Sequence, residues 1–280
     1  MPAVFAPLLL CVLAMSGAAA GAPLTLVEQT EGGCQARFTL PALRVEDVVA
    51  GGATWQAITI DGGDLAGEVG TPGLPTFHGL VAVPAGRTVT ARATIGGQKT
   101  LAGLRVLPVQ PQEGEAFAYD ADAYTGAGKT AAPPAVAVGK SAVMHGVNVV
   151  PFTLHPVTYE ARTGEVTVVT DLTLDFAFDE GGGPAGRQRP LARVAESFDR
   201  LFAATIVNWD ALRGEATVEP GTWLIITPDN AQVTEVLQPL LGWRRRQGYQ
   251  VIQATTAQAG TTTTQIKAYI QSVYNTADPP

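Results

Sequence analysis

The chain has 280 residues, of which 46% are hydrophobic and 15% are charged, and its mean hydropathy is +0.16. This composition excludes intrinsic disorder over most of the length, while 31 Gly and 20 Pro without a period exclude collagen and favour strands joined by many turns. Two Cys exclude a disulfide scaffold, and a net charge of −7 argues against a nucleic-acid partner.

The N-terminus predicts a signal peptide over residues 1–20, and therefore export to the cell surface or the medium. Residues 4–15 are apolar apart from one proline, a length typical of a signal peptide and too short to span a bilayer. Small residues at 16–22 offer an Ala-x-Ala site. We expect cleavage after Ala20, because a cut after Ala22 would place a proline beside the bond. A buried apolar N-terminal segment is the alternative; no transmembrane segment is expected after signal removal.

Removal of the signal peptide takes Cys11 with it and leaves Cys34 as a single thiol. Cys34 has no histidine at a recognisable spacing, so we expect a buried, inert thiol rather than a nucleophile. The three histidines, His78, His145 and His155, are too scattered for a zinc site. No resident metal or other cofactor is expected from this pattern.

One acidic cluster leaves a calcium site open. Asp61, Asp64 and Glu68 carry the oxygen ligands that calcium prefers, but their glycine-rich surroundings are equally typical of a turn.

Residues 24–180 predict a β-rich domain of the sandwich or barrel type. After a hairpin turn at Thr163-Gly164, apolar side chains occupy the even positions of 166–178, with Thr170 the only exception. This alternation indicates a strand with one buried and one wet face. Further strands are predicted at 36–40, 55–60, 79–83, 88–95 and 147–154. Residues 119–134, poor in apolar side chains, predict a long exposed loop.

The chain divides after residue 180. Residues 1–180 carry 9 Lys+Arg and 17 Asp+Glu, whereas residues 181–280 carry 9 and 8. A Gly-rich stretch at 181–186 marks the change, and residues 181–221 predict a linker with a helix over 191–209.

Residues 222–280 predict alternating strands and helices. The strands are expected at 223–227 and 249–255. The first helix is capped by Asp229 or Asn230, kinked at Pro239 and closed by Gly248; the second covers 261–275. This order indicates half of a parallel α/β domain. Because two parallel strands do not support themselves, we expect a truncated fold.

Several motifs then appear in a characteristic order. They are Gly70 to Pro75, Val81 to Gly86, Pro151 to Phe178, Trp223 to Pro228, Leu240 to Tyr249 and Ile266 to Tyr274. Together they resemble the propeptide of gingipain-type cysteine peptidases followed by the beginning of the catalytic domain. The resemblance covers the chain from about residue 60 onward.

The resemblance implies a secreted zymogen fragment. The β-rich prodomain would inhibit a caspase-like catalytic domain and assist its folding, and that catalytic domain is the implied partner. Its dyad of His as general base and Cys as nucleophile would lie beyond Pro280, so this chain should be inactive alone. Protein or peptide substrates, and calcium in the whole catalytic domain, are open features of the complete enzyme.

Two residues are candidates for regulation of such a zymogen. Arg213, followed by Gly214-Glu215, is the expected activation cleavage site, with an ordinary surface arginine as the alternative. Lys129 is the expected inhibitory side chain if the enzyme prefers basic residues, with a solvated loop lysine as the alternative. A second function remains open, namely a non-enzymatic secreted or cell-surface β-sandwich used for binding or adhesion.

Overall fold

The structure, a computed structural model, describes residues 23–125, 133–183 and 193–277. No helix in these ranges is both long and apolar enough to cross a membrane. The N-terminal part is built from strands. They are β1 (Leu24–Thr30), β2 (Gly33–Thr39), β3 (Leu43–Ala50), β4 (Ala53–Ile60), β5 (Asp64–Ala66), β6 (Leu74–Ala82), β7 (Arg87–Leu101), β8 (Val136–Val138), β9 (Ala142–Met144), β10 (Val147–Leu154), β11 (Val157–Glu160) and β12 (Glu165–Glu180), with the short helix α1 (Ala121–Thr125) between β7 and β8.

These strands form two main antiparallel sheets. In the first sheet β12 is central, and β7 pairs with one of its edges along its length. The other edge of β12 pairs first with β11 and then with β2. Strand β1 pairs with the far edge of β2. In the second, the order is β5-β6-β10-β8, and β9 pairs with β10 beside β8. Strands β3 and β4 form a separate hairpin.

The two sheets face each other across one apolar core. The ring centroids of Phe38 and Phe77 lie 5.2 Å apart, and those of Phe152 and Phe176 lie 5.0 Å apart. Each pair joins a strand of the first sheet to a strand of the second, so the predicted sandwich architecture is confirmed.

The alternation predicted along β12 is also confirmed. Leu172 and Leu174 are fully buried, whereas Thr173 and Asp175 between and beside them are only partly buried. The exception at Thr170 has a structural cause, because the pairing of β12 with β7 shifts register between Val169 and Asp171.

The exposed loop predicted over 119–134 is wrong at Tyr124. This residue lies on α1, is buried, and donates a hydrogen bond from its hydroxyl to the carbonyl of Val106 at 2.6 Å. Its ring packs edge-on against Trp55 at 5.5 Å. Aromatic packing of Tyr119 and Tyr124 thus holds this part of the segment, which its apolar content alone does not indicate.

The segment after the sandwich is more divided than predicted. Its elements are β13 (Arg193–Ala195), α2 (Glu196–Thr205), α3 (Trp209–Arg213) and β14 (Thr217–Glu219), with β13 and β14 parallel. The single helix predicted over 191–209 is therefore wrong at both ends. Its first described residues form a strand, and the helix stops at Thr205 because Ile206 is extended and bridges to Leu80 of β6.

The C-terminal part has the predicted strand–helix order. Its elements are β15 (Thr222–Thr227), α4 (Ala231–Arg246), β16 (Gln250–Thr255), α5 (Thr256–Ala259) and α6 (Thr263–Thr276). Strands β15 and β16 pair in parallel, as predicted. Asn230 is the N-cap of α4, its side chain accepting a hydrogen bond from the N–H of Gln232 at 2.8 Å, and Gly248 follows the helix with a φ of +90°.

Candidate functional site

Residues 193–219, here called the junction, connect the sandwich to the C-terminal unit. They pack against the sandwich. An apolar cluster joins them, formed by Val194, Phe202, Ile206 and Trp209 of the junction with Ala82, Val147 and Val149 of the sandwich. The N–H of Val207 also donates to the carbonyl of Leu80 at 2.9 Å. The junction is therefore a packed part of the fold that covers one edge of β6.

Asn208 fixes the junction to that edge. Its side-chain amide accepts a hydrogen bond from the N–H of Ala82 at 2.8 Å and donates one to the carbonyl of the same residue at 3.0 Å. Asn208 is completely buried. The two bonds satisfy both backbone groups of Ala82, as a neighbouring strand would.

Arg213 is the last residue of α3, and its side chain is partly held. Its guanidinium lies 3.6 Å from Asp199 and 3.8 Å from Asp210, and the same Asp199 oxygen accepts a hydrogen bond from the indole N–H of Trp209 at 2.9 Å. The next residue, Gly214, is exposed and has a φ of +53°. The Arg213–Gly214 bond therefore lies in a surface turn, but a protease can extend it only after Arg213 leaves Asp199.

The other described arginines of this segment are placed less favourably for cleavage. Arg193 belongs to the strand β13 and pairs with Glu219 at 3.6 Å. Arg200 lies within α2 and pairs with Glu196 one turn earlier. A regular strand and a helix interior both resist the extended conformation that a protease binds.

Two predicted site residues, Ala20 and Lys129, lie outside the described residues. Signal cleavage and the inhibitory role of the lysine therefore stay predictions. The same is true of the proposed division into residues 24–180, 181–221 and 222–280.

A cavity of about 520 Å³ opens on the sandwich, and sequence analysis did not indicate it. Its lining includes the carboxylates of Glu68, Asp120 and Asp122 and the ring of His155. Asp61, considered with Glu68 as a calcium ligand, instead pairs with Arg44 at 2.8 Å. Within residues 23–125, 133–183 and 193–277, no group of three or more His, Cys, Asp or Glu side chains could hold a metal ion.

Cys34 lies in β2 among the core side chains. Burial raises the pKa of its thiol to about 12, because desolvation disfavours the thiolate. The prediction that Cys34 is buried is confirmed, and a thiol with a raised pKa is a poor nucleophile near neutral pH.

His145 makes long-range contacts that its position in the sequence does not indicate. His145 lies between β9 and β10, stacks on Phe198 of α2 with ring centroids 3.5 Å apart, and is hydrogen-bonded through Nδ1 to the hydroxyl of Tyr274 on α6 at 3.1 Å. One side chain thus brings together the sandwich, the junction and the C-terminal unit. The sequence signal available was small, a His-Gly pair between two short apolar runs.

Comparison with known families divides the chain at the junction. Residues 19–215 match the family Propeptide_C25, and residues 216–280 match Peptidase family C25. The boundary between the two matches falls between α3 and β14.

Curated relatives come from the bacterium Porphyromonas gingivalis. Lys-gingipain HG66 is 26% identical over 256 residues, which are 86% of this chain and 15% of that protein. Lys-gingipain W83 is 25% identical over 256 residues, which are 86% of this chain and 14% of that protein. The chain thus spans about one seventh of the length of these relatives.

Two solved structures share the fold of part of this chain. One, described as structural insight into the zymogenic latency of gingipain K from Porphyromonas gingivalis, has 25% identity and a TM-score of 0.50, covering 58% of this chain and 96% of its own. The other, a complex of Porphyromonas gingivalis RgpB pro- and mature domains, has 15% identity and a TM-score of 0.52, covering 68% of this chain and all of its own. The second, at its low identity, is a likeness of fold alone.

Proposed function

The chain belongs to the Propeptide_C25 family, and from this membership we propose that it is part of the secreted precursor of a gingipain-type cysteine peptidase. One observation carries the proposal: a β sandwich with its own core is followed, through a packed junction, by a parallel strand–helix unit. The two kinds of unit follow in the order in which the propeptide and peptidase families match.

In this proposal the sandwich is an inhibitor and folding aid, and the peptidase domain is its partner. Residues 222–280 begin that domain, and the catalytic His and Cys belong to the segment that would follow Pro280. The Cys would attack the substrate carbonyl after the His removes its proton. Cys34 is not the proposed nucleophile, because it is buried in the core of the sandwich. Lys129 would occupy the specificity pocket if the enzyme prefers basic residues.

Activation would occur by cleavage after Arg213. Three features support this position: the exposed Gly214 that follows, the end of α3 at Arg213, and the family boundary two residues later. Export would remove the signal peptide after Ala20 and deliver the precursor to the cell surface or the medium.

The proposal is tested with the complete coding sequence from which this chain derives. The precursor is expressed, and hydrolysis of an unfolded protein substrate is measured before and after limited proteolysis. We expect little hydrolysis until a cut exposes Gly214 as a new N-terminus, identified by mass spectrometry.

The variant Arg213→Gln should block this cut and keep the precursor latent. Arg200→Gln, which removes a helical arginine of the same junction, is the matched control and should be activated normally. Full activity of the uncut precursor would contradict the inhibitory role of the sandwich. Normal activation of Arg213→Gln would contradict Arg213 as the activation site.

A further inference from the structure

The contact at His145 depends on a backbone conformation that histidine adopts at a cost. Met144 of β9 pairs with Val147 of β10, so His145 and Gly146 form a two-residue hairpin turn. Their φ angles are +48° and +81°, and within the described ranges His145 is the one non-glycine residue with a positive φ. Asn-Gly is the favoured sequence for such a turn, so the imidazole is not there for the turn itself.

The ring of His145 stacks on a cluster of aromatic side chains. Its plane is within 12° of that of Phe198, and the Phe198 and Phe202 ring centroids lie 5.9 Å apart on the same face of α2. Phe202 in turn packs edge-on against the buried Trp209 at 4.7 Å. These rings belong to the apolar cluster of the junction, so the imidazole packs on side chains that are themselves part of a core.

The exposed side of that imidazole meets the C-terminal unit. Tyr274, in the last turn of α6, presents its ring edge at 5.3 Å and 75° and its hydroxyl at 3.1 Å from Nδ1. An edge-on aromatic contact with a hydrogen bond at its tip fixes both the distance and the rotation of α6 relative to the sandwich.

We propose that the His145 turn with Phe198 is the surface on which the prodomain binds helix α6 of the peptidase domain, and that Tyr274 is the side chain it recognises. This proposal rests on the proposed function for the identity of the partner. The contact does not use the peptide bond at the junction, so it continues to hold the two parts after a cut at Arg213. The pairing of β13 with β14 also joins the two sides of that cut. It is the same in every variant compared below, so differences between variants report on the His145 contact.

The experiment uses the full chain with a recognition sequence for a site-specific protease inserted between Gly214 and Glu215. The N-terminal piece is immobilised by a tag, the chain is cut, and the urea concentration that releases half of the C-terminal piece is measured. This design does not depend on whether Arg213 is the natural cleavage site, so its failure and the failure of the proposed function are distinguishable.

The informative variant is His145→Asn, because Asn suits the turn and removes the ring. We expect it to keep or raise the melting temperature of the immobilised sandwich while the C-terminal piece dissociates about ten-fold faster at a fixed urea concentration. Tyr274→Phe, which removes only the hydroxyl, should dissociate about three-fold faster.

Two substitutions serve as matched controls. Tyr269→Phe changes the other tyrosine of α6, and His78→Asn changes a histidine of β6 that bonds to Thr153 within the sandwich. Both should release the piece as the unsubstituted chain does. Release of the C-terminal piece from His145→Asn at the same urea concentration and rate as from the unsubstituted chain would overturn the proposal. So would separation of the two pieces immediately after the cut in the unsubstituted chain.

Discussion

The sandwich and the C-terminal unit differ in how much apolar surface they bury within themselves. The sandwich encloses large side chains such as Phe38, Phe152 and Leu172, each at most 2% exposed. In residues 222–277 the one large aliphatic side chain buried to that degree is Leu241, whereas Val236 is 78% exposed and Trp243 45%. The sandwich therefore has the core of an independent domain. In residues 222–277, by contrast, large apolar side chains of α4 remain exposed.

This contrast explains the role of the junction. A two-stranded parallel sheet with exposed apolar helices gains little from its own burial, so its position depends on neighbouring structure. Asn208 attaches the junction to the sandwich, and the C-terminal unit meets this assembly where Tyr274 contacts His145, which stacks on Phe198.

The largest effect should come from truncating the sandwich core. Phe176→Ala removes a ring that is 2% exposed and should lower the free energy of unfolding of the sandwich by about 3–5 kcal/mol. Val236→Ala, on the exposed face of α4, should change stability by less than about 0.5 kcal/mol. Urea unfolding followed by tryptophan fluorescence measures both, and equal losses would remove the contrast between the two regions.

A smaller loss should follow from Asn208→Ala. The substitution leaves the buried N–H and C=O of Ala82 without partners and should cost about 2–3 kcal/mol. Asn230→Ala makes the same exchange in the C-terminal unit, where it removes only the N-cap of α4 and should cost about 1 kcal/mol. Urea unfolding monitored by circular dichroism separates the two, and a neutral Asn208→Ala would show that the junction is not fixed to β6 by this side chain.

Asp199→Asn should loosen the junction without disturbing either unit. It keeps an acceptor for the indole of Trp209 but removes the charge beside Arg213. Losing about 1 kcal/mol of local stability increases about five-fold the fraction of molecules in which the segment around Arg213 is locally unfolded. Trypsin should therefore cut after Arg213 about five-fold faster. The control is Asp210→Asn, whose carboxylate is 84% exposed and 3.8 Å from Arg213, and which should leave the rate unchanged. Identical rates for both variants would exclude Asp199 as the residue that protects the bond.

The smallest effect concerns the pH dependence of the sandwich. Burial raises the pKa of Cys34 from its ordinary value of 9.0 to about 12, so the unfolded thiol ionises at a lower pH than the folded one. Its contribution to stability is complete below pH 9 and is lost as pH rises toward 12, by about 1 kcal/mol between pH 9 and 10. The free energy of unfolding should therefore fall less between pH 8 and pH 10 for Cys34→Ala than for the unsubstituted chain. The same loss in both would contradict a protonated buried thiol.

Local patterns predicted much of this fold. The period of two along β12, the cap at Asn230 and the order of the C-terminal elements all depend on residues close in sequence, which is why they could be recognised. The contacts of the junction could not, because Asn208 bonds to Ala82 across 126 positions and Tyr274 meets His145 across 129. No periodicity specifies which distant backbone group or ring a single polar side chain will meet.

The helix predicted over 191–209 shows the same limit. Its apolar spacing is genuine, since Phe198 and Phe202 share one face of α2. Ile206, however, leaves the helix to bridge to Leu80, a long-range interaction that overrides the local period. The family resemblance supplied what the local patterns lacked, namely that a β-rich unit and half of an α/β unit belong together.

The most direct test of the peptidase-precursor account is the coding sequence of the native transcript downstream of codon 280. We expect an open frame that continues the α/β pattern of β15 and β16 and then encodes a strand-end His followed by a strand-end Cys within the length of one catalytic domain. A stop codon directly after Pro280 would contradict the account, because no segment would remain to supply the catalytic residues that the sandwich is proposed to inhibit.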